Sequence, residues 1–504
     1  MNYFYDVIVI GGGQAALAAA ISAKEEGARV ALITKGKAGF GGSSVISDGV
    51  HSSIFSPGDS PEAFFNDIIC GSSFLANRTL ALVLAEECTV RVGELETKYG
   101  VELEREEVIS TPGHSYPRRI YAANGLGKNT TKVLREYALE LEIEFFEQSS
   151  LVDLMVEDQR VKGVLVQKGQ ELLAFSAPSV ILATGGFGGL YASTDNPKDV
   201  SGEGIGMAWR HGVQLVDMEF VQFYPYRLQH PANLDVMTRI FGKGAMLLNA
   251  ESERFMKDFP RKELETRDVL SYEMFKQDKV FLDFSNVDQS IIEQHSPYLY
   301  RFVKKGYQGE WRMYPVQHYC MGGIKIDEWG RTTLQGLYAC GEAAGGLHGA
   351  NRLGGGSLTE SLVFGHRTGK MAVLENTPVQ KTESHLNMEN TLQPGKEIEV
   401  SQRVKEIMWE NVGIERTTSS LNQAEKELDA LAQELSEGTG VLALQLQDKV
   451  RAAWAAAFAG AVRKESRGAH IIQDVKEEKK EWEGNIVIRK KEIQFTQEFV
   501  SEMS

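Results

Sequence analysis

The residues best placed to do chemistry stand at the start of the chain, in Tyr3 to Ala20, YFYDVIVIGGGQAALAAA. An apolar, β-branched run over Tyr5 to Ile10 breaks into three glycines and then a helix-forming run of alanines, the pattern of a buried strand, a tight turn and a helix. At this spacing Gly11 makes the turn, Gly13 lets the backbone approach a pyrophosphate, and Ala16 lets the helix pack on the strand. The free N–H groups of a helix opening at Gln14 and Ala15, with its dipole, then face the phosphates. The chemistry expected is dinucleotide binding. A second strand, Arg29 to Ile33, closes a βαβ unit but ends in Thr34 and Lys35, where an acidic residue about 20 positions on ordinarily meets the ribose. A hydroxyl and backbone groups are left to replace that carboxylate.

Later glycine-rich segments return to the same site. Gly36 to Val50 sets Ser43, Ser44 and Gly49 beside the nucleotide as hydroxyl and backbone donors. SVILATGGFGG, from Ser179 to Gly189, runs a strand into glycines, so Ala183, Thr184 and Gly185 make a second backbone approach. In Ser201 to Gly212, Glu203 either caps a helix or accepts from a ribose. Gly336 to Gly369 resumes the style of the N-terminus, and its strand, Glu342, Ser357 and Leu358 belong with the nucleotide domain, which is thus discontinuous.

The elements around these segments set the scale. A chain of 504 residues exceeds one ordinary core. The domains expected are a nucleotide domain in two parts, 1–225 and 335–376, an inserted domain, 226–334, and a C-terminal helical domain, 396–504, after a polar linker from Asn376 to Gly395. The net charge of −15 argues against nucleic-acid or anionic-membrane partners, so an anionic substrate needs a local basic pocket. Cys70, Cys88, Cys320 and Cys340 lack disulfide or metal spacing and read as buried thiols. No segment approaches the roughly 20 apolar residues of a membrane span, and a cytoplasmic location is expected. Helical periodicity runs over Pro61 to Tyr99 and Thr130 to Leu141, and His114, Arg118 and Arg119 between them are expected to be solvated. Three short strands are expected over 151–156, 161–167 and 172–175. In the C-terminal part, Val400, Val404, Ile407 and Met408 mark one helix, Ser420 with Gln423 a capping box for a second, and Asp448 to Lys464 a third; Ile486 and Ile488 suggest a final strand.

Ordered blocks run the length of the chain: IGGGQAALAAA, ILATGG, MEFVQFYP (Met218 to Pro225), LLNAESERFM (Leu247 to Met256), TRDVLS (Thr266 to Ser271), HYCMGGI (His318 to Ile324), GLYACGEAAGGLHGANRLGGGSLTESLVFG and ESRGAH (Glu465 to His470). Together they resemble the flavoprotein family of succinate dehydrogenase, fumarate reductase and L-aspartate oxidase. The resemblance implies FAD and an α/β fold: a discontinuous Rossmann-like FAD-binding domain, an inserted α+β capping domain and a C-terminal helical domain. It also implies that Arg267 is the active-site arginine that moves a proton, and that His318 and Arg352 hold a substrate carboxylate. The chemistry is consistent: hydride addition to the β-carbon of an unsaturated acid builds charge on its carboxylate, which cationic groups sheltered from water stabilise.

Departures from the family pattern shape the expected substrate. Tyr224 and Tyr226 replace the His and Thr of a QFHPT block, and Phe241 replaces the Arg of an RGEG block, with Lys243 for its Glu. Met237 or Thr238 falls where a proton-relay glutamate is expected, and Gly356 replaces an asparagine. Ser43 stands where quinone-linked members attach FAD through histidine, with His51 outside that pattern, so FAD is expected to be non-covalent. The function expected is interconversion of a saturated and an α,β-unsaturated acid, with one carboxylate firmly held and a remainder other than plain fumarate. The alternatives are amino-acid oxidation of the L-aspartate oxidase type, or a flavin electron-transfer subunit with a vestigial site serving an iron–sulfur partner. This chain has no cluster-ligating cysteines, so any cluster lies on another polypeptide.

Overall fold

A computed structural model describes residues 2–107, 112–123, 127–375, 391–490 and 492–496. Most of the expected linker, 376–390, therefore lies outside the described residues. The centre is a five-stranded, wholly parallel sheet in the order Leu337–Ala339, Ser179–Leu182, Val7–Ile10, Val30–Ile33, Glu144–Phe146. The middle three strands are buried along their whole length, as a sheet covered on both faces requires. Its edge strand, Leu337–Ala339, arrives some 150 residues after its neighbour and makes the nucleotide domain discontinuous.

The helix Gln14–Glu25 covers one face and packs along the helix Gly356–Leu374. A Cβ at Gly365 or Gly369 would lie 2.8 or 2.2 Å from the carbonyl oxygens of Ala15 or Ala19. Those glycines let the two halves of the nucleotide domain lock together. The three strands expected after residue 150 form an antiparallel meander, Ser150–Glu157, Arg160–Lys168 and Glu171–Ser176, to which Asn2–Phe4 adds in parallel. The long helical stretch expected from Pro61 is two helices, Pro61–Gly71 and Arg78–Thr97. Asn77 accepts from Leu80 N–H to cap the second, after a turn in which Ser73 and Phe74 adopt positive φ.

Residues 227–313 supply a separate mixed unit, with the antiparallel sheet Leu234–Asp235, Arg227–His230, Arg312–Met313, Val280–Asp283, Met246–Leu248 and the helices Arg267–Phe275, Gln289–His295 and Pro297–Lys304. Two strands, Val221–Tyr224 and Val316–Cys320, pair at its junction with the nucleotide domain. The C-terminal helices are Lys396–Asn411, Thr418–Ser436 and Val441–Val462, followed by the hairpin Asn485–Arg489 and Glu492–Thr496. The capping box is Thr417 with Ser420, one turn earlier than the Ser420–Gln423 reading, because Ser420 serves as the third helical residue. The last helix also begins seven residues before the expected Asp448. Three cysteines are buried as expected, but Cys70 is exposed on the outer face of its helix. Among the described residues no helix is long and apolar enough to cross a membrane.

Candidate active site

The glycine segments meet around a cavity of about 630 Å³, within the usual size of a cofactor site. Gly11, Gly13, Ala15, Thr34, Lys35, Ser43 and Ser44 line it from the first βαβ unit. Ala183, Thr184, Gly185, Glu203, Glu342, Ser357 and Leu358 line it from the later segments. Gly11 has φ +134°, and a Cβ there would lie 2.1 Å from Ala183 O, so the first turn is pressed against the second glycine segment. Gln14, Ala16 and Gly49 stand one layer back. Gln14 is fully buried and its Nε2 donates to Leu358 O and to His51 Nε2, at 2.8 and 3.1 Å. His51 Nδ1–H in turn donates to Gly49 O. Burial pushes the His51 imidazole down to about 4, so it stays neutral. Ala16 fills the helix–sheet contact.

The residues present fit a dinucleotide. Thr184 Oγ1 is buried on the cavity wall with no protein partner, which marks a place for a ligand atom. Glu342 accepts from Cys320 N–H at 2.9 Å, and burial raises its carboxyl to about 7. Glu203 is the first residue of the helix Glu203–Arg210 but does not cap it; its carboxylate pairs with Lys35 and with Lys449 at 3.4 Å. The cap reading of Glu203 is thereby corrected: the cap position is Gly202, and the carboxylate is drawn to two lysines.

The cavity continues into a smaller one of about 60 Å³. Tyr224, Arg267 and Arg352 line both, His318 only the larger, and Arg119, Tyr226 and Thr238 only the smaller. Their positions follow from local structure. The Val221–Tyr224 and Val316–Cys320 pairing shifts register between Gln222 and Phe223, so Gln222 faces Tyr319 while Phe223 faces Gln317. His318 is the extra residue of this bulge, and it is the one half-buried position in an otherwise buried strand. Bulges commonly re-aim a side chain beside an active site. Its Nδ1–H donates to Asp195 at 2.7 Å, which leaves Nε2 as the nitrogen available to a ligand. Its ring stacks on Tyr224 with centroids 4.8 Å apart. Burial pulls the imidazole below its ordinary range, with Asp195 opposing and Arg267 and Arg352 reinforcing the shift.

Arg267 opens the helix Arg267–Phe275. A cation in the first turn opposes the helix dipole, a local rule broken where function is expected. Its Nη1 donates to Gln222 Oε1 at 2.9 Å, and its guanidinium lies 5.2 Å from the Tyr224 ring centroid. Arg352 Nη2 donates to the same Gln222 oxygen at 3.0 Å. Arg352 also lies 4.3 Å from the centroid of Tyr319, whose hydroxyl donates to the buried Glu360. Burial and the charge of Arg267 lower Arg352 to about 10. Two guanidinium groups thus converge on one neutral acceptor.

Tyr226 offers its ring to the smaller cavity, since its hydroxyl donates to Glu263 O at 2.8 Å. Phe241 lines neither cavity; it packs behind Tyr226 with centroids 5.1 Å apart. His114, Arg118 and Arg119 are buried, contrary to the solvated reading. Arg118 pairs with Asp59 at 2.7 Å and with Asp67, and His114 Nε2–H donates to Gly354 O at 3.1 Å. Their partners lie far away in sequence, so a local reading missed them. Gln222, Asp195 and Arg119 were also not singled out, although Gln222 stands two residues before Tyr224, on the same side of the strand.

Known proteins share both the sequence pattern and this architecture. The FAD binding domain family matches residues 6–358, and the fumarate reductase flavoprotein C-terminal family matches residues 401–501. The chain belongs to the fumarate reductase/succinate dehydrogenase family of FAD-dependent oxidoreductases. It is 33% identical to a fumarate reductase (CoM/CoB) flavoprotein chain of Methanothermobacter marburgensis, over 98% of each chain. It is 34% identical to L-aspartate oxidase of Pyrococcus furiosus, over 93% of this chain and 95% of that one. The fold is similar to Escherichia coli quinol fumarate reductase FrdA, with TM-score 0.88 and 25% identity over 99% of this chain and 97% of that chain. It is also similar to Mycobacterium smegmatis Sdh1, with TM-score 0.83 and 29% identity over 96% and 92%.

Proposed function

We propose that this oxidoreductase reduces the carbon–carbon double bond of a small α,β-unsaturated carboxylic acid bound where the two cavities meet. The observation that carries the reading is the convergence of Arg267 and Arg352 on Gln222 Oε1 at 2.9 and 3.0 Å beside the cofactor cavity. Buried like charges repel strongly at low dielectric, so the site is poised to take an anion between them. FAD, when bound in the larger cavity, supplies the hydride that enters at the β-carbon. Gly11, Gly13 and Ser44 at the opening of the Gln14–Glu25 helix would hold its phosphates, and Thr184, Glu342 and Ser357 the remainder.

The chain's own groups do the rest. Arg352 and His318 grip the carboxylate and stabilise the charge that grows there. Asp195 holds the His318 tautomer by accepting from Nδ1–H. Arg267 gives the proton to the α-carbon, and Gln222 fixes its guanidinium. Tyr224, stacked on His318 and beneath Arg267, walls the site from water. His51, the histidine nearest in sequence to Ser43, is held in the layer behind the cavity, which supports non-covalent FAD.

Electrons are expected from a separate carrier. Among the described residues no group of three or more His, Cys, Asp and Glu could hold a metal, so an iron–sulfur centre, where one serves, belongs to a partner. A second reading, oxidation of an amino dicarboxylate, is favoured by the 34% identity to an L-aspartate oxidase. An anaerobic assay with a reduced viologen dye separates the two: enoates should bleach it, whereas aspartate in air should yield no peroxide. The opposite pattern would replace the first reading with the second.

A further inference from the structure

We propose that Arg119 is a specificity-determining residue: it grips an anionic group at the end of the substrate opposite the carboxylate held by His318 and Arg352. The inference rests on the acid-reduction reading and adds a second contact to it. Arg119 is the first residue of the strand Arg119–Ala122, which pairs with Val50–Ser52 and Leu103–Arg105 and carries the side chain inward. It is 9% exposed and lines only the smaller cavity, whereas His318 lines only the larger. Tyr224, Arg267 and Arg352 line both and so stand between them. An acid lying across these three residues has His318 at one end and Arg119 at the other.

The neighbours of Arg119 leave it fit for this task. Glu106 lies 3.2 Å from its Nε but is shared with Arg239, also at 3.2 Å. One carboxylate thus serves two guanidinium groups. Arg119 Nη1 donates to Thr238 Oγ1 at a long 3.3 Å. The smaller cavity is lined by Arg119, Arg267 and Arg352 against one carboxylate, Asp48. A substrate with two negative charges matches that excess, and one with a single charge leaves it uncompensated. Tyr226 offers no donor at this end, because its hydroxyl is committed to Glu263 O.

The test uses the FAD-loaded protein with fumarate and glutaconate as dianions and crotonate as monoanion. Affinities come from calorimetric titration, and kcat and KM from turnover, for wild type, Arg119→Gln and Arg119→Lys. The expected result is that Arg119→Gln weakens both dianions about 100-fold, through affinity and KM, and changes crotonate by less than about 3-fold. Arg119→Lys, which keeps the charge beside Glu106, should recover at least a tenth of the lost affinity. Loss of dianion and crotonate binding to the same extent, or dianion affinity within about 3-fold of wild type, overturns the proposal. Arg119-dependent dianion binding with no turnover of any acid supports the anchor and removes the acid-reduction reading. Turnover of the dianions unaffected by Arg119→Gln removes the anchor and keeps that reading.

Discussion

Gln222 is the residue through which the two active-site arginines are held, and its replacement has a calculable effect. Its Oε1 accepts from Arg267 and Arg352, and its Nε2 donates to Asn351 Oδ1 at 3.1 Å and to Arg352 O at 2.9 Å. Gln222→Leu removes two bonds to charged donors, each about 1.5–3 kcal/mol, and two neutral ones, each about 0.5–1.5 kcal/mol. The four share partners and do not add, so a loss of about 3–5 kcal/mol is expected. Gln222 is fully buried, so bulk water is not at hand to replace the bonds. With Arg267 no longer fixed relative to Arg352, a misplacement of about 1 Å should lower kcat about 100-fold. Gln222→Glu is the informative companion: it keeps the acceptor and stability but places a negative charge where the substrate carboxylate should bind, so KM should rise at least about tenfold. Thermal denaturation of the FAD-loaded variants and steady-state kinetics with the best acid substrate measure all of this. Unchanged melting with kcat and KM within about 3-fold of wild type for both variants would refute the reasoning.

Arg267→Ala should abolish turnover yet leave the flavin spectrum and FAD stoichiometry intact; loss of flavin would assign Arg267 a structural role. Gly11→Ala forces a Cβ to within 2.1 Å of Ala183 O at a φ of +134°, so the purified protein should lose FAD or fail to fold, and full retention of FAD on gel filtration would contradict the close approach. Glu342 offers a pH test in the FAD-free protein. Burial raises its carboxyl from 4.5 to about 7, so between those values the folded chain keeps a proton that the unfolded chain has released. Stability should therefore fall by about 3 kcal/mol as pH rises from 4.5 through 7 and be level on either side. Denaturant titrations of wild type against Glu342→Gln at pH 5 and pH 8 should show that difference; a constant difference would refute it.

The elements that hold the nucleotide were legible because each obeys a local rule. The apolar run Val7–Ile10, the turn at Gly11 and the small residues after Gln14 specify strand, turn and helix from neighbours alone. The return of the chain at Leu337–Ala339 could be read for the same reason, since its glycines repeat the first pattern. Features that depend on distant partners could not be read this way. Periodicity does not reveal that His318 is the extra residue of a bulge, because the bulge exists only against Val221–Tyr224. Arg118 and Arg119 look like solvated loop charges until Asp59, Asp67 and Glu106 are brought beside them. Glu203 reads as a helix cap because it begins the helix, but Lys35 and Lys449 claim its carboxylate. The family blocks located Arg267, His318 and Arg352, while the hub that joins two of them, Gln222, lay within the MEFVQFYP block with no local sign of its role.

The most direct measurement is anaerobic stopped-flow: the FAD-loaded protein is reduced and mixed in turn with fumarate, glutaconate, crotonate and iminoaspartate, and flavin absorbance is followed. The account predicts fast, saturable reoxidation by at least one enoate, abolished in Arg267→Ala, with release of the saturated acid. Reoxidation by none of them, while an added electron carrier reoxidises the flavin at once, would contradict it and leave a flavin electron-transfer protein in its place.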